Sequence, residues 1–351
     1  MTRRPRVIAH RGASGYRPEH TLEAYALAIA QGADFIEPDL VATRDGVLVA
    51  RHENELSDST DVATHAEFAT RRCRKCIDGI EREGWFTEDF TLDELRRLRA
   101  RERLPALRPG SQAYDGQFGI ATFTEIIALV QAAEANGRRV GLYPETKHPT
   151  WFAQEGRHHD GSRIGVSLGQ GVVRELVAAG FTDPARVFIQ SFEVGNLVEL
   201  KRVWMPAAGV DWPLVQLLGD FERHAPYDLR LLAQGGEDRH GLRELLGASA
   251  LGDPRCGSLA GPDALERLRD SHASAIGPGK DSLLPAGPAG PLHACLRAAQ
   301  RLGLEVHAYT LRREHAGEAY GRRLMDEGVD GFFIDQPDLG VALRDAAVAE
   351  P

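Results

Sequence analysis

Short apolar runs recur along the chain, and between them apolar residues return every three or four positions. The runs are "RVIAH", "ADFIEPDL", "RVGLYPE", "RVFIQSF", "PLVQLL", "ASAIGP", "LEVHAYTL" and "GFFID". Runs of this length bounded by turn residues mark buried strands, whereas the wider spacing marks helices with one buried face. The helices carry their own punctuation: "TLEAYALAIAQG" opens at Thr21 and closes at Gly32, "TFTEIIALVQAAEANG" closes at Gly137, and "PLHACLRAAQRLG" closes at Gly303. Eight strands alternating with helices predict an α/β chain folded as a (β/α)8 TIM barrel. A ninth run, "GVLVARHE", follows "ADFIEPDLVAT" after a tight Asp-Gly turn. It is therefore expected to fold back antiparallel on the second strand, carrying His52 toward the same end of the sheet.

The alternation breaks once. Residues 57–118 are rich in charge and contain one short helical pattern, "TLDELRRLRARE". A stretch this long is uncommon as plain loop, so it reads as an insertion, a small cap subdomain after the second-strand hairpin. Such a cap is expected to be dispensable for folding of the strands. The whole chain, residues 1–351, reads as a single barrel domain with residues 57–118 inserted within it.

With 351 residues, 42% of them hydrophobic and 26% charged, the chain can bury a large core. A net charge of −9 argues against a general nucleic-acid binder, because affinity for a phosphate backbone needs clustered Lys and Arg. No apolar run approaches the roughly 20 residues that span a bilayer, so stable membrane insertion is not expected. The opening "MTRRPRVIAH" lacks the apolar core of a signal peptide, and the expected location is cytoplasmic. Cys73 and Cys76 have the Cys-x-x-Cys spacing of a zinc or redox motif, but Cys256 and Cys295 supply no second pair, and unpaired thiols are expected.

The apolar runs end in residues that burial normally excludes. The first ends in His10 and Arg11, the second in Glu37 and Asp39, the third in Glu145 and Lys147, and the hairpin in His52. In a barrel of this kind reactive groups sit at the carboxyl ends of strands. Glu37 and Asp39, two apart in an extended segment, face the same way. A salt bridge to Arg11 could account for either alone; with Glu145 they make an oxygen-rich site for a hard divalent cation, Ca2+ or Mg2+, with Mn2+ also suited. Only Lys75, Lys147, Lys201 and Lys280 among 42 basic residues are lysine, so Lys147 beside Glu145 reads as a point charge aimed at an anion. His10 and His52 can exchange protons near neutral pH. A cation, positive side chains and two histidines together suit cleavage of a phosphate ester.

The stretch "AHRGASGYRPEHTLEAYALAIAQGADFIEPDLVATRDGVLVARHE" resembles the opening of the glycerophosphodiester phosphodiesterases. His-Arg-Gly at 10–12, Pro-Glu-His-Thr at 18–21, Glu-x-Asp at 37–39 and His52 stand in that family's order, and "YPETKHP", "FIQSFE", "VHAYTLRRE" and "DGFFIDQPD" resemble its later strands. The insertion resembles that of the bacterial glycerol-phosphodiester-hydrolysing branch. The resemblance implies that Glu37, Asp39 and Glu145 hold the metal, that His10 and His52 are general acid and base in an order left open, and that Arg11 and Lys147 contact the phosphoryl oxygens. It implies a small-molecule glycerophosphodiester substrate, hydrolysed to glycerol 3-phosphate and an alcohol. Two other readings remain: a phospholipase D-like enzyme acting on lysolipid or sphingolipid with the same barrel, and a barrel that binds phosphodiesters without cleaving them. The two histidines weigh against the last, since a binder needs no proton shuttle.

Overall fold

A computed structural model of the chain describes residues 4–349. The chain divides into two compact units, residues 9–186 and residues 187–349 together with 4–8. Both are α/β.

Strand β1 is Arg6–His10, β2 is Phe35–Glu37, β3 is Asp39–Ala42 and β4 is Leu48–Ala50. The second apolar run is thus two strands, parted by Pro38, which has no N–H to give a ladder. In the insertion, β5 is Cys73–Ile77 and β6 is Ile80–Gly84; beyond it, β7 is Gly141–Leu142 and β8 is Glu145–Thr146, parted at Tyr143 and Pro144. Each half of one split run pairs with one half of the other. β2 lies parallel to β7, and β3 lies parallel to β8, with Asp39 opposite Glu145. β4 returns antiparallel on β3, Val49 opposite Val41, as the Asp-Gly turn predicts.

Two helices cover these strands. Leu22–Ala30 starts at Thr21, whose hydroxyl accepts from the Ala24 N–H. Phe123–Ala135 starts with a capping box, Thr122 and Glu125 each accepting from the other's backbone N–H, and buries Phe123, Ile126, Ile127 and Val130 at helical spacing.

The insertion lies within the same unit. β5 and β6 pair antiparallel from Cys73 opposite Gly84 to Ile77 opposite Ile80. Asp78 (φ 48°) and Gly79 (φ 71°) make the two-residue turn, both left-handed as a mirror-image hairpin turn requires. Phe68, Phe86, Phe90, Leu95 and Leu98 are buried, and the rings of Phe68 and Phe90 meet edge-on at 5.0 Å. Lys75 is buried with its ammonium 2.9 Å from Glu88 and 2.8 Å from Asp89. Glu88 also accepts from Asn54 Nδ2 at 3.1 Å and Trp151 Nε1 at 3.2 Å. The segment thus contributes core, which the expectation of a dispensable cap did not include; its many charges conceal an apolar minority spaced to face inward. Cys73 and Cys76 stand three apart on β5 and so point to opposite faces, which removes the geometry of a Cys-x-x-Cys redox pair.

In the other unit, β9 (Ile189–Ser191), β10 (Leu214–Leu218), β11 (Ala273–Pro278), β12 (Glu305–Leu311) and β13 (Gly331–Ile334) pair in chain order, all parallel. Every residue of β10 and β13 is buried, as strands covered on both faces require. Their core joins Leu218, Ile276, Val306 and Phe332 to Leu268, Leu296 and Leu324 from the helices between. Lys280, at the end of β11, pairs with Asp281 at 2.6 Å and lies 4.1 Å from the Tyr320 ring centroid. No described helix is long and apolar enough to cross a membrane.

Candidate active site

All seven residues singled out in the sequence fall in the unit formed by residues 9–186. β1 ends at His10, and the backbone then turns through Arg11 (φ 61°) and Gly12 (φ 84°). A Cβ on Gly12 would stand 2.7 Å from the Ala24 carbonyl carbon, so only glycine lets the loop pass so close to the first helix. The turn aims the Arg11 N–H at Glu37, with Oε2 accepting at 2.8 Å.

Glu37, Asp39 and Glu145 offer oxygens that lie within 4.8 Å of one another, and all three residues are buried. Pro38 sets Glu37 and Asp39 on one face, and the parallel register puts Glu145 beside Asp39. Three carboxylates in so small a buried volume repel, and their protons respond. Burial, with Asp39 and Glu145 adding to it, holds Glu37 well above the ordinary carboxyl range. Burial opposed by Lys147 and reinforced by Asp39 pushes Glu145 up to about 8. Asp39 goes the other way: burial alone would raise it, but Lys147, His20 and Arg11 together hold it well below the usual range. A carboxyl cluster of this kind is relieved by a cation, and its all-oxygen donor set fits a hard divalent ion.

Around the cluster the positive groups are fixed in place. Arg11 Nη1 donates to both oxygens of buried Glu19 at 3.1 and 3.0 Å, and its Nε lies 3.4 Å from Asp39 and 3.2 Å from His10 Nε2. Glu19 is held in turn by Arg103 of the insertion at 3.1 Å. His20 Nε2 lies 2.9 Å from Asp39 Oδ2 and its Nδ1 2.7 Å from the Tyr25 hydroxyl. The Lys147 ammonium reaches Glu145 at 3.0 Å; burial opposes its charge, but Glu145, Asp39 and Glu53 hold its pKa above the ordinary value.

His52 follows β4, its side chain 29% exposed, with Nδ1 3.0 Å from Glu53 Oε1. Burial and the neighbouring cations Arg11 and Lys147 push it down to about 3, so the ring is neutral and its unshared pair available. The site therefore combines a carboxylate cluster suited to a hard cation, the fixed positive charges of Arg11 and Lys147, and the imidazoles of His10, His20 and His52.

Sequence reasoning gave no role to Glu19, His20, Glu53, Asp78, Arg103 or His148. Glu19 and His20 lie in the quoted "PEHT" stretch, but nothing in apolar patterning marks a charge inside a polar loop as buried. Arg103 and Asp78 lie in the insertion, where charges are the rule.

The sequence matches the Glycerophosphoryl diester phosphodiesterase family over residues 10–339. It is 32% identical over 352 residues to the Arabidopsis thaliana glycerophosphodiester phosphodiesterase GDPD6, covering 95% of this chain and 84% of that protein. A solved structure named as a glycerophosphoryl diester phosphodiesterase from Silicibacter pomeroyi superposes with a TM-score of 0.64 at 22% identity, covering 99% of this chain and 95% of that one. An Oleispira antarctica phosphodiesterase solved in complex with the product sn-glycerol-3-phosphate superposes with a TM-score of 0.56 at 20% identity, covering 97% of each chain.

Proposed function

The chain belongs to the glycerophosphoryl diester phosphodiesterase family and is an enzyme of that class, and from this premise we propose that it hydrolyses glycerophosphodiesters to glycerol 3-phosphate and a free alcohol with the help of a divalent cation. The observation that carries the metal dependence is the buried triad Glu37, Asp39 and Glu145, with two protonation equilibria displaced upward by burial and, after it, by the neighbouring carboxylates. These three residues would hold the ion, which when bound supplies electrophilic stabilisation of charge on the phosphoryl oxygens. The product bound to the Oleispira antarctica relative supports glycerol 3-phosphate as the retained half. The same reading takes the chain as a (β/α)8 barrel, with residues 57–118 as a cap that favours small headgroups.

Each side chain has a task under this reading. Arg11, clamped by Glu19, presents a fixed guanidinium to a phosphoryl oxygen without having to reorganise as charge develops. Lys147 offers a second positive charge. One of His10 and His52 removes the proton of the attacking oxygen and the other protonates the departing alcohol oxygen, so that water adds, the P–O bond to the alcohol breaks, and no proton is left over. His52 is neutral, and His10 lies beside Arg11.

The test is direct. Metal-loaded protein incubated separately with glycerophospho-choline, -ethanolamine, -glycerol and -inositol should release glycerol 3-phosphate and the matching alcohol in equal amounts. Release of phosphocholine in place of choline, or cleavage of lysolipid alone, would overturn the reading.

A further inference from the structure

Beside the carboxylate triad, the same unit holds a row of four titratable side chains drawn from three segments. His52 and Glu53 follow β4, His148 follows β8, and Asp78 sits in the turn between β5 and β6 of the insertion. His52 Nδ1 lies 3.0 Å from Glu53 Oε1; the other Glu53 oxygen lies 3.5 Å from His148 Nε2; and His148 Nδ1 lies 2.6 Å from Asp78 Oδ2. Arg82 of β6 comes within 3.4 Å of Glu53 Oε2. Asp78 (φ 48°) and His148 (φ 51°) are both non-glycine residues held in the left-handed region, a conformation that costs about 1–2 kcal/mol each and persists where surrounding contacts impose it.

We propose that Glu53 is the positioning residue for His52, and that the insertion reaches the reaction through Asp78 and His148, which together fix the Glu53 carboxylate. The proposal rests on the reading that His52 exchanges a proton during catalysis. Its content is a tautomer. With Nδ1–H donated to Glu53, the proton sits on Nδ1 and the atom that gains or loses a proton is Nε2. A carboxylate that orients an imidazole in this way also stabilises the imidazolium when it forms. Left unsupported, a carboxylate on a surface-proximal side chain would rotate among several rotamers. His148 restrains it by charge, its Nε2 and Glu53 Oε2 stopping short of a hydrogen bond at 3.5 Å: burial disfavours the charge, but Asp78 and Glu53 outweigh burial and raise His148 to about 9, so it stands as a cation between two anions. The charged groups acting on His52 are Arg11 and Lys147 and, of opposite sign, Glu53, Asp39 and Glu19, and those acting on His148 are Asp78 and Glu53.

Full-length protein labelled with 15N-histidine tests both halves at pH 7.5. In the wild type, His52 should show the Nδ1–H tautomer and His148 should show two protonated nitrogens. Glu53→Ala should move His52 to the Nε2–H tautomer and lower kcat about 10²-fold, within the range of general acid–base effects, with KM changed less than threefold. Glu53→Asp should restore both the tautomer and most of the rate. Asp78→Asn, which keeps the size of this half-buried turn residue, should strip one proton from His148 and lower kcat several-fold. An unchanged His52 tautomer with undiminished kcat in Glu53→Ala would overturn the positioning role, and an unchanged His148 in Asp78→Asn would overturn the part assigned to the insertion. His52→Ala separates the two levels of the argument. If it remains fully active, proton exchange by His52 fails and the positioning role with it. If it is inactive while Glu53→Ala is not, only the positioning role fails.

Discussion

His10 and His52 differ from Glu37, Asp39 and Glu145 in what their loss should do. A proton carrier matters for turnover and a ligand for occupancy, so His10→Ala and His52→Ala should each lower kcat by about 10² to 10⁴ with metal content nearly unchanged, whereas Glu37→Ala should lose metal and rate together. The histidine losses should be strongly non-additive, because one missing carrier already breaks the cycle. A p-nitrophenyl ester, whose leaving group needs no proton, should rescue whichever variant lacks the acid and leave the other slow; equal recovery by both would remove the acid and base pair. His148 makes a stability prediction with a definite sign. Its folded-state pKa of about 9 lies above the unfolded value of 6.5, so the folded chain holds the extra proton more tightly. The contribution is fully present below pH 6.5 and lost as pH rises through 9, and is on the order of 3 kcal/mol. Urea midpoints should therefore fall more steeply between pH 6.5 and 9.5 in wild type than in His148→Gln; parallel curves would count against the ion pair. The seven residues that end apolar runs were legible because polarity interrupts a pattern there. Glu53, Asp78 and His148 interrupt nothing, and only three-dimensional proximity distinguishes them from solvated charges.

Among the elements, the insertion departs most from its sequence reading. A charged stretch with one helical turn suggested a removable flap, yet Phe86, Phe90, Leu95 and Leu98 are fully buried and Arg103 bonds to Glu19 behind Arg11. Deleting residues 60–115 behind a short Gly/Ser linker should therefore abolish cooperative unfolding, as followed by circular dichroism. The milder Phe86→Ala should cost about 3–5 kcal/mol. A deletion product that melts cooperatively near the wild-type temperature would restore the removable flap. The strands were more legible: all eight apolar runs contain strand, and the hairpin returns where the Asp-Gly turn placed it. What periodicity could not show is that Pro38 and Pro144 each interrupt a run and so hand its two halves to different partners.

At the scale of the molecule, a cation that binds the folded triad and not the unfolded chain must stabilise the fold, by about 2.7 kcal/mol at a hundredfold excess over its Kd. EDTA should lower Tm and abolish activity, and Ca2+ or Mg2+, but not Na+, should restore both; full activity with metal analysis confirming exhaustive removal would take the ion out of the reaction. The alternation of strand and helix told the class of fold from the sequence, but the division of the chain into units was not visible there, and neither was the unit to which one short segment belongs. That segment, Arg6 to Ile8, groups with residues 187–349: the Arg6 N–H donates to the Asp330 carbonyl at 2.8 Å, and its guanidinium meets Glu305 at 2.7 Å. During synthesis the unit of residues 9–186 is complete long before Asp330 exists. At roughly 5–20 residues per second, Arg6 leaves the ribosome on the order of 15–65 s before its partner is made. Through that interval Val7, fully buried in the folded chain and part of the core of residues 194–334, lacks the last of that core, and a nascent-chain chaperone covering this short apolar segment would have to stay until translation is nearly done.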